Sequence, residues 1–440
     1  VALSNYGEGL NFSQLETWVR GNQLAPSVAA LLGLSLIAGP IGKCAQFPLN
    51  LWLDEAMEGP NPAGIMRNSI VVSAGAYVLI KLEPVTTLSP VSAYGLIIVG
   101  AITAIGTSLM AIAQIDIKRA LSHSTSAYMG LVFIAVGLRQ VDIAFLLLFS
   151  HAIAKALLFM SAGSVILTTN NQNVTEMGGL WSRMPATSLS FLVGAAGLIA
   201  LSPLGMFWTY HRWFSGAWDV DWWLLLIIMF VNVFSAINLT RLFRVIFLGP
   251  PQVKTRRAPE VPWQMSVPMV SLMIVTLITA FAPAQWSLWL SPNTPLALER
   301  PELVIQYATP LLIASGALGC IIGSTIKVRK AWSRSSNLTL RFFQDLLAYD
   351  FYIDKLYELT VIAAVSNLAK LTSWIDRYIV DGAVNFVSLA TIFSSNALKY
   401  NTSGQSQFYL ATIIIGVGLL LWSMINGQWS LVTNYWSSIM

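Results

Sequence analysis

Titratable side chains stand inside apolar stretches of this sequence of 440 residues, where charge is costly and usually functional. His151 and Lys155 are four residues apart in LLLFSHAIAKALLFMSAGSVI, so a helix places both on one face. Lys43 follows a Gly-Pro pair and precedes Pro48, so the first apolar segment must break beside an ammonium group. Broken helices free carbonyls that can solvate a cation or a proton at membrane depth. These residues predict a proton pathway.

A second group of polar residues lies at a predicted helix junction. Lys118 stands there with Asp116, Arg119 and His123. The group is either a proton relay or an ordinary basic loop that sets membrane topology. Both interpretations stay open at this point.

Two further candidates lie where apolar runs begin or break. In SPLGMFWTYHRWFSG the run is interrupted and Tyr210, His211 and Arg212 follow, which indicates either an ionisable exit or an interfacial aromatic belt. Arg67 lies near the start of the second span, where it could pair with an acidic residue of the preceding loop such as Asp54. The alternative for Arg67 is a membrane anchor.

The composition indicates whether these residues lie in water or in a lipid bilayer. The chain is 55% hydrophobic and 10% charged, with a mean hydropathy of +0.66, far from the charged fraction of soluble domains. About ten apolar runs are long enough to cross a bilayer core of ~30 Å. The basic residues lie in short loops, which argues against nucleic-acid binding. The sequence shows no phosphate-binding loop, metal-ligand cluster or nucleophile beside a base, so we expect no cofactor and no metal in this chain.

We therefore predict an all-α fold: a polytopic membrane helix bundle with two broken helices and a long amphipathic surface helix. Polar residues recur at helical spacing in the last part of the chain, with apolar residues on the other face, so this stretch should lie along the membrane surface. A broken helical linker is its alternative. Basic loops alternate with neutral or acidic ones and should face the cytoplasm, together with the surface helix. The predicted segments are a loop at 1–23, the bundle at 24–327, the lateral helix at 346–400 and a final span at 406–426.

Three motifs resemble a known family. GKCAQFPLNLWLDEAMEGPNPAG is similar to the GKSAQxPLxxWLxxAMxGPTPVSA signature of the antiporter-like subunits of complex I and of related cation/proton antiporters. DIKRALSHSTSAYMGL resembles their DIKRxLAYSTxSQxGY, and SHAIAKALLFMSAGSVI their THAxxKALLFLxxGSV. LKYNTSGQSQFY and YIVDGAVN resemble the F subunits, the largest antiporter-like subunits of cyanobacterial and chloroplast NAD(P)H dehydrogenases.

The resemblance implies roles for particular residues. Lys43 would be the central lysine of the broken helix, paired with a Glu on an earlier helix that this sequence does not contain. His151 and Lys155 would belong to the polar axis, and Lys118 to the conserved loop. FMN, iron–sulfur clusters and quinone would belong to partner subunits, with none in this chain. Neighbouring antiporter-like and other membrane subunits, and lipid, would be its partners.

The departures from the family imply a specialised role. Where the family reads SALIHAA this chain reads AGIMRNS, which we interpret as Arg67 in place of a histidine. Where it reads GFWSKDE this chain reads MFWTYHR, with Tyr210 at the exit lysine and His211 beside it. These changes resemble the F subunits of cyanobacterial thylakoid complexes that couple NAD(P)H- or ferredoxin-driven plastoquinone reduction to CO2 uptake.

Three functions follow from the resemblance. The first is a proton-translocating subunit of such an oxidoreductase, an enzyme only as part of that translocase. The second is a stand-alone Na+/H+ antiporter, and the third is a membrane anchor and proton outlet for a soluble CO2-hydrating partner.

Overall fold

The computed structural model describes residues 24–201, 203–217, 222–279, 306–307, 309–326, 338–401 and 404–425. Within these ranges the chain is helical and has no β-strand, with one isolated bridge between Asp116 and Asn173. The predicted all-α class is confirmed. The predicted loop at 1–23 lies outside the described residues.

The helices follow the apolar runs of the sequence. In chain order they are α1 (Pro26–Lys43), α2 (Leu51–Glu55), α3 (Asn61–Lys81), α4 (Glu83–Thr86), α5 (Pro90–Ala113), α6 (Ile117–Gly137), α7 (Val141–Thr169), α8 (Pro185–Leu198), α9 (Gly205–Ala217), α10 (Trp222–Leu248), α11 (Trp263–Ile278), α12 (Thr309–Thr325), α13 (Leu338–Ala348), α14 (353–401) and α15 (Ser406–Ile425). Of these, α1, α3, α5, α6, α7, α10 and α15 are each long and apolar enough to cross a bilayer. The protein is therefore an integral membrane protein.

Both predicted helix interruptions are present. The first span stops at Lys43, and a turn that contains the cis peptide bond between Phe47 and Pro48 separates it from α2. The second stops at Leu198, and the chain becomes helical again at Gly205. In each case a proline lies in the gap, where it cannot donate the next helical hydrogen bond. The breaks make carbonyl groups available to other donors, as the bonds from Trp52 Nε1 to the Gly42 carbonyl and from the Tyr128 hydroxyl to the Leu198 carbonyl show.

Helix α6 is the centre of the bundle, because its membrane-spanning window is buried over its whole length. Helix α5 crosses it at two glycines. A Cβ atom on Gly100 would lie 2.5 Å from the carbonyl oxygen of Gly130, and one on Gly130 would lie 2.6 Å from that of Gly100. Small residues at a crossing let two membrane helices approach closely, so that their backbones pack directly. This contact fixes α6, which carries Lys118, His123 and Tyr128.

The predicted lateral helix begins later than expected. Helix α13 ends at Ala348, and a turn precedes the start of α14 at Ile353. Asp350, Phe351 and Tyr352 have φ angles of 50°, 57° and 54°, which a right-handed helix cannot accommodate. The predicted start at residue 346 is therefore wrong. From residue 353 the helix continues to residue 401, through π-helical turns, over roughly 70 Å at ~1.5 Å per residue.

The chain divides into two compact units, Val1–Asp354 and Lys355–Met440. In the second unit the apolar side chains of α14 are exposed, as Phe386 (72%) and Phe393 (78%) show. The length of α14 far exceeds a bilayer core of ~30 Å. Its dimensions therefore agree with a helix that lies along a surface.

Candidate functional site

The centre of the site is Lys155 on α7, which is fully buried. Its Nζ donates a hydrogen bond of 2.8 Å to the carbonyl oxygen of Leu121 on α6. The same carbonyl accepts a bond of 3.2 Å from the Thr125 hydroxyl. No ion pair among the residues that the structure describes reaches Lys155, so a carbonyl and not a carboxylate holds its ammonium group. An ionisable side chain buried in a membrane helix is costly and usually marks a functional site.

His151 lies one helical turn before Lys155 and is also fully buried. Its ring centroid is 5.4 Å from that of Tyr128 on α6, and the Asn68 backbone of α3 faces it. Neither ring nitrogen has a hydrogen-bond partner within the described part of the chain. The predicted placement of His151 and Lys155 on one face is therefore confirmed, in a dry interior where two positive charges one turn apart repel strongly.

Tyr128 connects this pair to the second broken helix. Its hydroxyl donates a hydrogen bond of 2.8 Å to the carbonyl of Leu198, the last residue of α8. The break after α8 thus supplies a free carbonyl to the polar centre. Tyr210 on α9 is fully buried, and its hydroxyl faces that of Tyr128. The structure therefore brings the predicted exit residue Tyr210 to the same group as His151.

His211 does not join this group. Its ring packs against Phe207 and Trp208, at centroid distances of 6.0 Å and 5.9 Å. The side chain is half-buried. Its surroundings are those of the aromatic belt that the sequence offered as an alternative.

Lys118 binds the loop that follows α2. Its Nζ donates hydrogen bonds of 3.1 Å to the carbonyls of Met57 and Gly59, which end the short helical turn after α2. Lys118 therefore holds this loop against the start of α6.

Lys43 lies apart from the buried pair. It is the last residue of α1, its stem packs against Gly75 of α3, and its side chain is exposed in this chain. The described residues therefore do not enclose Lys43, contrary to the expectation of a buried ammonium group. Its predicted role on a pathway stays a prediction.

The alignment that placed Arg67 at the family's histidine is wrong by one residue. Its Nη1 donates a hydrogen bond of 2.6 Å to the carbonyl of Ala56, so its side chain holds the preceding loop. The next residue, Asn68, is fully buried, and its Nδ2 donates to the carbonyl of Gly64 at 3.1 Å. When the family segments GPTPVSA and SALIHAA are joined through their common SA, the histidine also falls on Asn68. A neutral amide, and not a permanent charge, thus occupies that position.

Sequence analysis missed a polar stripe on α10. Asn232, Asn238 and Arg241 are buried there. Arg241 donates to the Gln114 carbonyl at 3.0 Å, and Asn238 donates to the Ala120 carbonyl at 3.3 Å. The spacing of these residues by multiples of three inside an apolar run was the signal that could have revealed them.

Several polar loops meet at one end of the bundle. The start of α6 and the segment after α7 are joined by the hydrogen bond from the Ile117 amide to the Gln172 carbonyl, at 3.1 Å. The loop after α10 reaches the same end, where Lys254 contacts Glu176 at 2.7 Å. Asp54 also lies there, and burial raises its pKa to about 6 although the charges of His123 and Arg119 oppose the shift. The structure thus brings the basic loops that contain Lys118 and Lys254 to the same end of the bundle.

The helices and the site that they carry are those of one known class of membrane protein. The sequence model of the family described as "NADH:quinone oxidoreductase/Mrp antiporter, TM" matches residues 1–235. The chain belongs to this family, and its buried lysine and both helix breaks lie within the matched residues.

Several proteins similar to this chain carry the name of the same subunit. The chain is 49% identical to "NAD(P)H-quinone oxidoreductase subunit 5, organellar chromatophore 2" of Paulinella chromatophora, over 96% of this chain and 67% of that protein. It is 30% identical to the chloroplastic NAD(P)H-quinone oxidoreductase subunit 5 of Chara vulgaris, over 88% of this chain and 63% of the relative. The protein of the same name from Nephroselmis olivacea is also 30% identical, over 93% and 65%. The chain thus spans about two thirds of the length of these relatives.

Proposed function

We propose that the chain translocates protons as subunit 5 of a complex I-like NAD(P)H- or ferredoxin-plastoquinone oxidoreductase. The observation that carries the proposal is Lys155, fully buried on α7 with its ammonium group on a backbone carbonyl. The family match and the subunit 5 relatives support it. Electron transfer, with FMN, iron–sulfur clusters and quinone, takes place in partner subunits, and this chain converts their signal into proton movement.

The buried polar groups define a route within this chain. Lys155 and His151 exchange one positive charge, since two charges so close in a dry interior are disfavoured. Tyr128 and Tyr210 extend the route through their hydroxyl groups to α9. The route runs through a thylakoid membrane, with the basic loops and α14 on the cytoplasmic side, and neighbouring antiporter-like subunits and lipid contact the exposed helices.

We expect a Lys43→Ala variant to assemble but to lose coupled proton translocation, because Lys43 ends a broken helix, the kind of element at which membrane transporters hold coupling ions. The measurement is the ratio of protons moved to quinone reduced in proteoliposomes that contain the complex. Lys81→Ala is the matched control, since Lys81 also ends a spanning helix and is also exposed, but lies beside Tyr77 and not at the break that separates α1 from α2. An unchanged ratio for Lys43→Ala would remove Lys43 from the pathway.

A second function is favoured by one observation, the tyrosine at the exit position. The buried Tyr210 gives a neutral outlet that could serve a soluble CO2-hydrating partner, to which this chain would be the membrane anchor. A Tyr210→Lys variant should then lower CO2 uptake while quinone reduction persists. Tyr210→Phe removes only the hydroxyl and tests the same point where a buried lysine impairs folding. Arg67→His serves as a control, because Arg67 holds a loop; if CO2 uptake is unchanged in both Tyr210 variants, this second function fails.

The stand-alone Na+/H+ antiporter is the remaining alternative. Solubilised protein that migrates alone, and not in a large assembly, would favour it.

A further inference from the structure

Three side chains of types that can bind metal ions come from distant parts of the sequence. They meet at the end of the bundle where the polar loops described above lie. Asp54 belongs to α2, His123 to α6, and Asp350 to the turn before α14. One donor atom from each lies within 4.8 Å of the other two. All three residues are buried, with exposed fractions of 4%, 2% and 8%. The sequence-based expectation of no metal-ligand cluster missed this group, because no two of its members are close in the chain.

The distances within the group place His123 at the spacing of metal ligands from both carboxylates. His123 Nε2 lies 3.3 Å from Asp350 Oδ1 and 3.7 Å from Asp54 Oδ1. His123 Nε2 and Asp54 Oδ1 are nevertheless buried without a hydrogen-bond partner in the described part of the chain. Ligands around a tetrahedral zinc ion, with bonds of about 2.0–2.1 Å, lie roughly 3.3–3.4 Å apart. The two separations from His123 are therefore close to those of ligands that share one ion, and the carboxylate oxygens of Asp54 and Asp350 lie within 4.8 Å of each other.

The neighbouring groups are compatible with a cation. Gln114 Nε2 donates a hydrogen bond of 3.0 Å to Asp350 Oδ1, which fixes the orientation of that carboxylate, as outer contacts of metal ligands commonly do. Arg119 lies 3.5 Å from the far oxygen of Asp54 and 3.9 Å from the exposed Glu58. Because Arg119 is itself 36% exposed, it can remain with Glu58 in solvent.

The charge of the group also matches a divalent ion. Two carboxylates and a neutral imidazole carry two negative charges in a buried position, where uncompensated charge is unfavourable. One divalent cation neutralises both. Two carboxylates and one imidazole form a nitrogen–oxygen donor set of the kind that binds zinc, with a fourth position left for a water molecule.

We propose that Asp54, His123 and Asp350 bind a divalent transition-metal ion of the zinc class. The ion joins α2 and α6 to the turn that precedes α14. That turn contains three successive residues with left-handed φ angles, a conformation that persists only where the surroundings hold it. The metal therefore has a structural role, apart from the proton route around Lys155, and the proposal does not depend on the proposed function.

The test uses the intact complex, stripped with a chelator and then equilibrated with Zn2+ or with the spectroscopic probe Co2+. We expect the wild type to bind one more equivalent of metal than the His123→Ala and Asp350→Asn variants, whose affinity should be at least about tenfold lower. The Co2+ complex of the wild type should show visible absorption of a tetrahedral site, and the variants should lack it. The matched control is His211→Ala, because His211 lies against aromatic rings on α9.

Equal metal content in the wild type and the His123→Ala variant would overturn the proposal and would indicate an imidazolium that bridges two carboxylates. If His123→Ala fails to assemble, Asp54→Asn replaces it, since it keeps the size of the side chain and removes one ligand charge. Proton translocation measured on the same samples separates this result from the proposed function. Loss of metal with translocation retained supports a structural site.

Discussion

A Lys155→Met variant is expected to lose proton translocation by at least about tenfold, or about 1.4 kcal/mol in the rate-limiting barrier. Methionine keeps the length and apolar stem of lysine but carries no proton. The side chain is fully buried, and its ammonium group contacts the Leu121 carbonyl at 2.8 Å. The measurement is proton uptake by vesicles that contain the assembled complex, beside quinone reduction on the same preparation.

The control for this variant is Lys254→Met. Lys254 is about half exposed and pairs with Glu176 at the surface, so its loss should leave proton uptake unchanged and cost little stability. If Lys155→Met retains full coupled uptake in an assembled complex, the proposed route through α7 is wrong.

A Gly100→Ala variant is expected to destabilise the bundle by roughly 1–3 kcal/mol, the usual cost of overpacking. The added Cβ atom would meet the Gly130 carbonyl at 2.5 Å, a backbone atom that cannot move without separating α5 from α6. The readouts are the amount of the protein in membranes and the midpoint of thermal inactivation of the complex.

The same helix offers the matched control. A Cβ atom on Gly106 would have no atom within 4 Å, so Gly106→Ala should be neutral or should stabilise α5 by up to about 1 kcal/mol through helix propensity. Equal behaviour of the two variants would show that the crossing of α5 and α6 tolerates separation.

Apolar length and proline positions predicted the membrane helices and both breaks, because a bilayer requires long helices with satisfied backbones. The spacing of His151 and Lys155 also predicted their common face correctly. Neighbouring residues on a helix point about 100° apart, so an error of one residue moved the prediction from the buried Asn68 to Arg67. Periodicity alone could not reveal the turn at Asp350, since a four-residue spacing continues across it.

Other parts of the site depend on contacts between distant segments. Arg241 donates hydrogen bonds to carbonyls at the end of α5. The sequence of α10 alone resembles an ordinary apolar helix and does not reveal these partners. The cluster of Asp54, His123 and Asp350 requires three elements to be placed in space first. Sequence reasoning finds residues that share one helix and misses those that only the tertiary fold brings together.

The carbonyl of Leu121 has two side-chain donors, the ammonium group of Lys155 and the hydroxyl of Thr125. If the lysine releases its proton as the proposed route requires, the Thr125 hydroxyl still donates to this oxygen. The backbone of α6 then needs no rearrangement between the two states of the lysine. The central helix can thus serve as a fixed support for a change of charge at Lys155 on the proposed route.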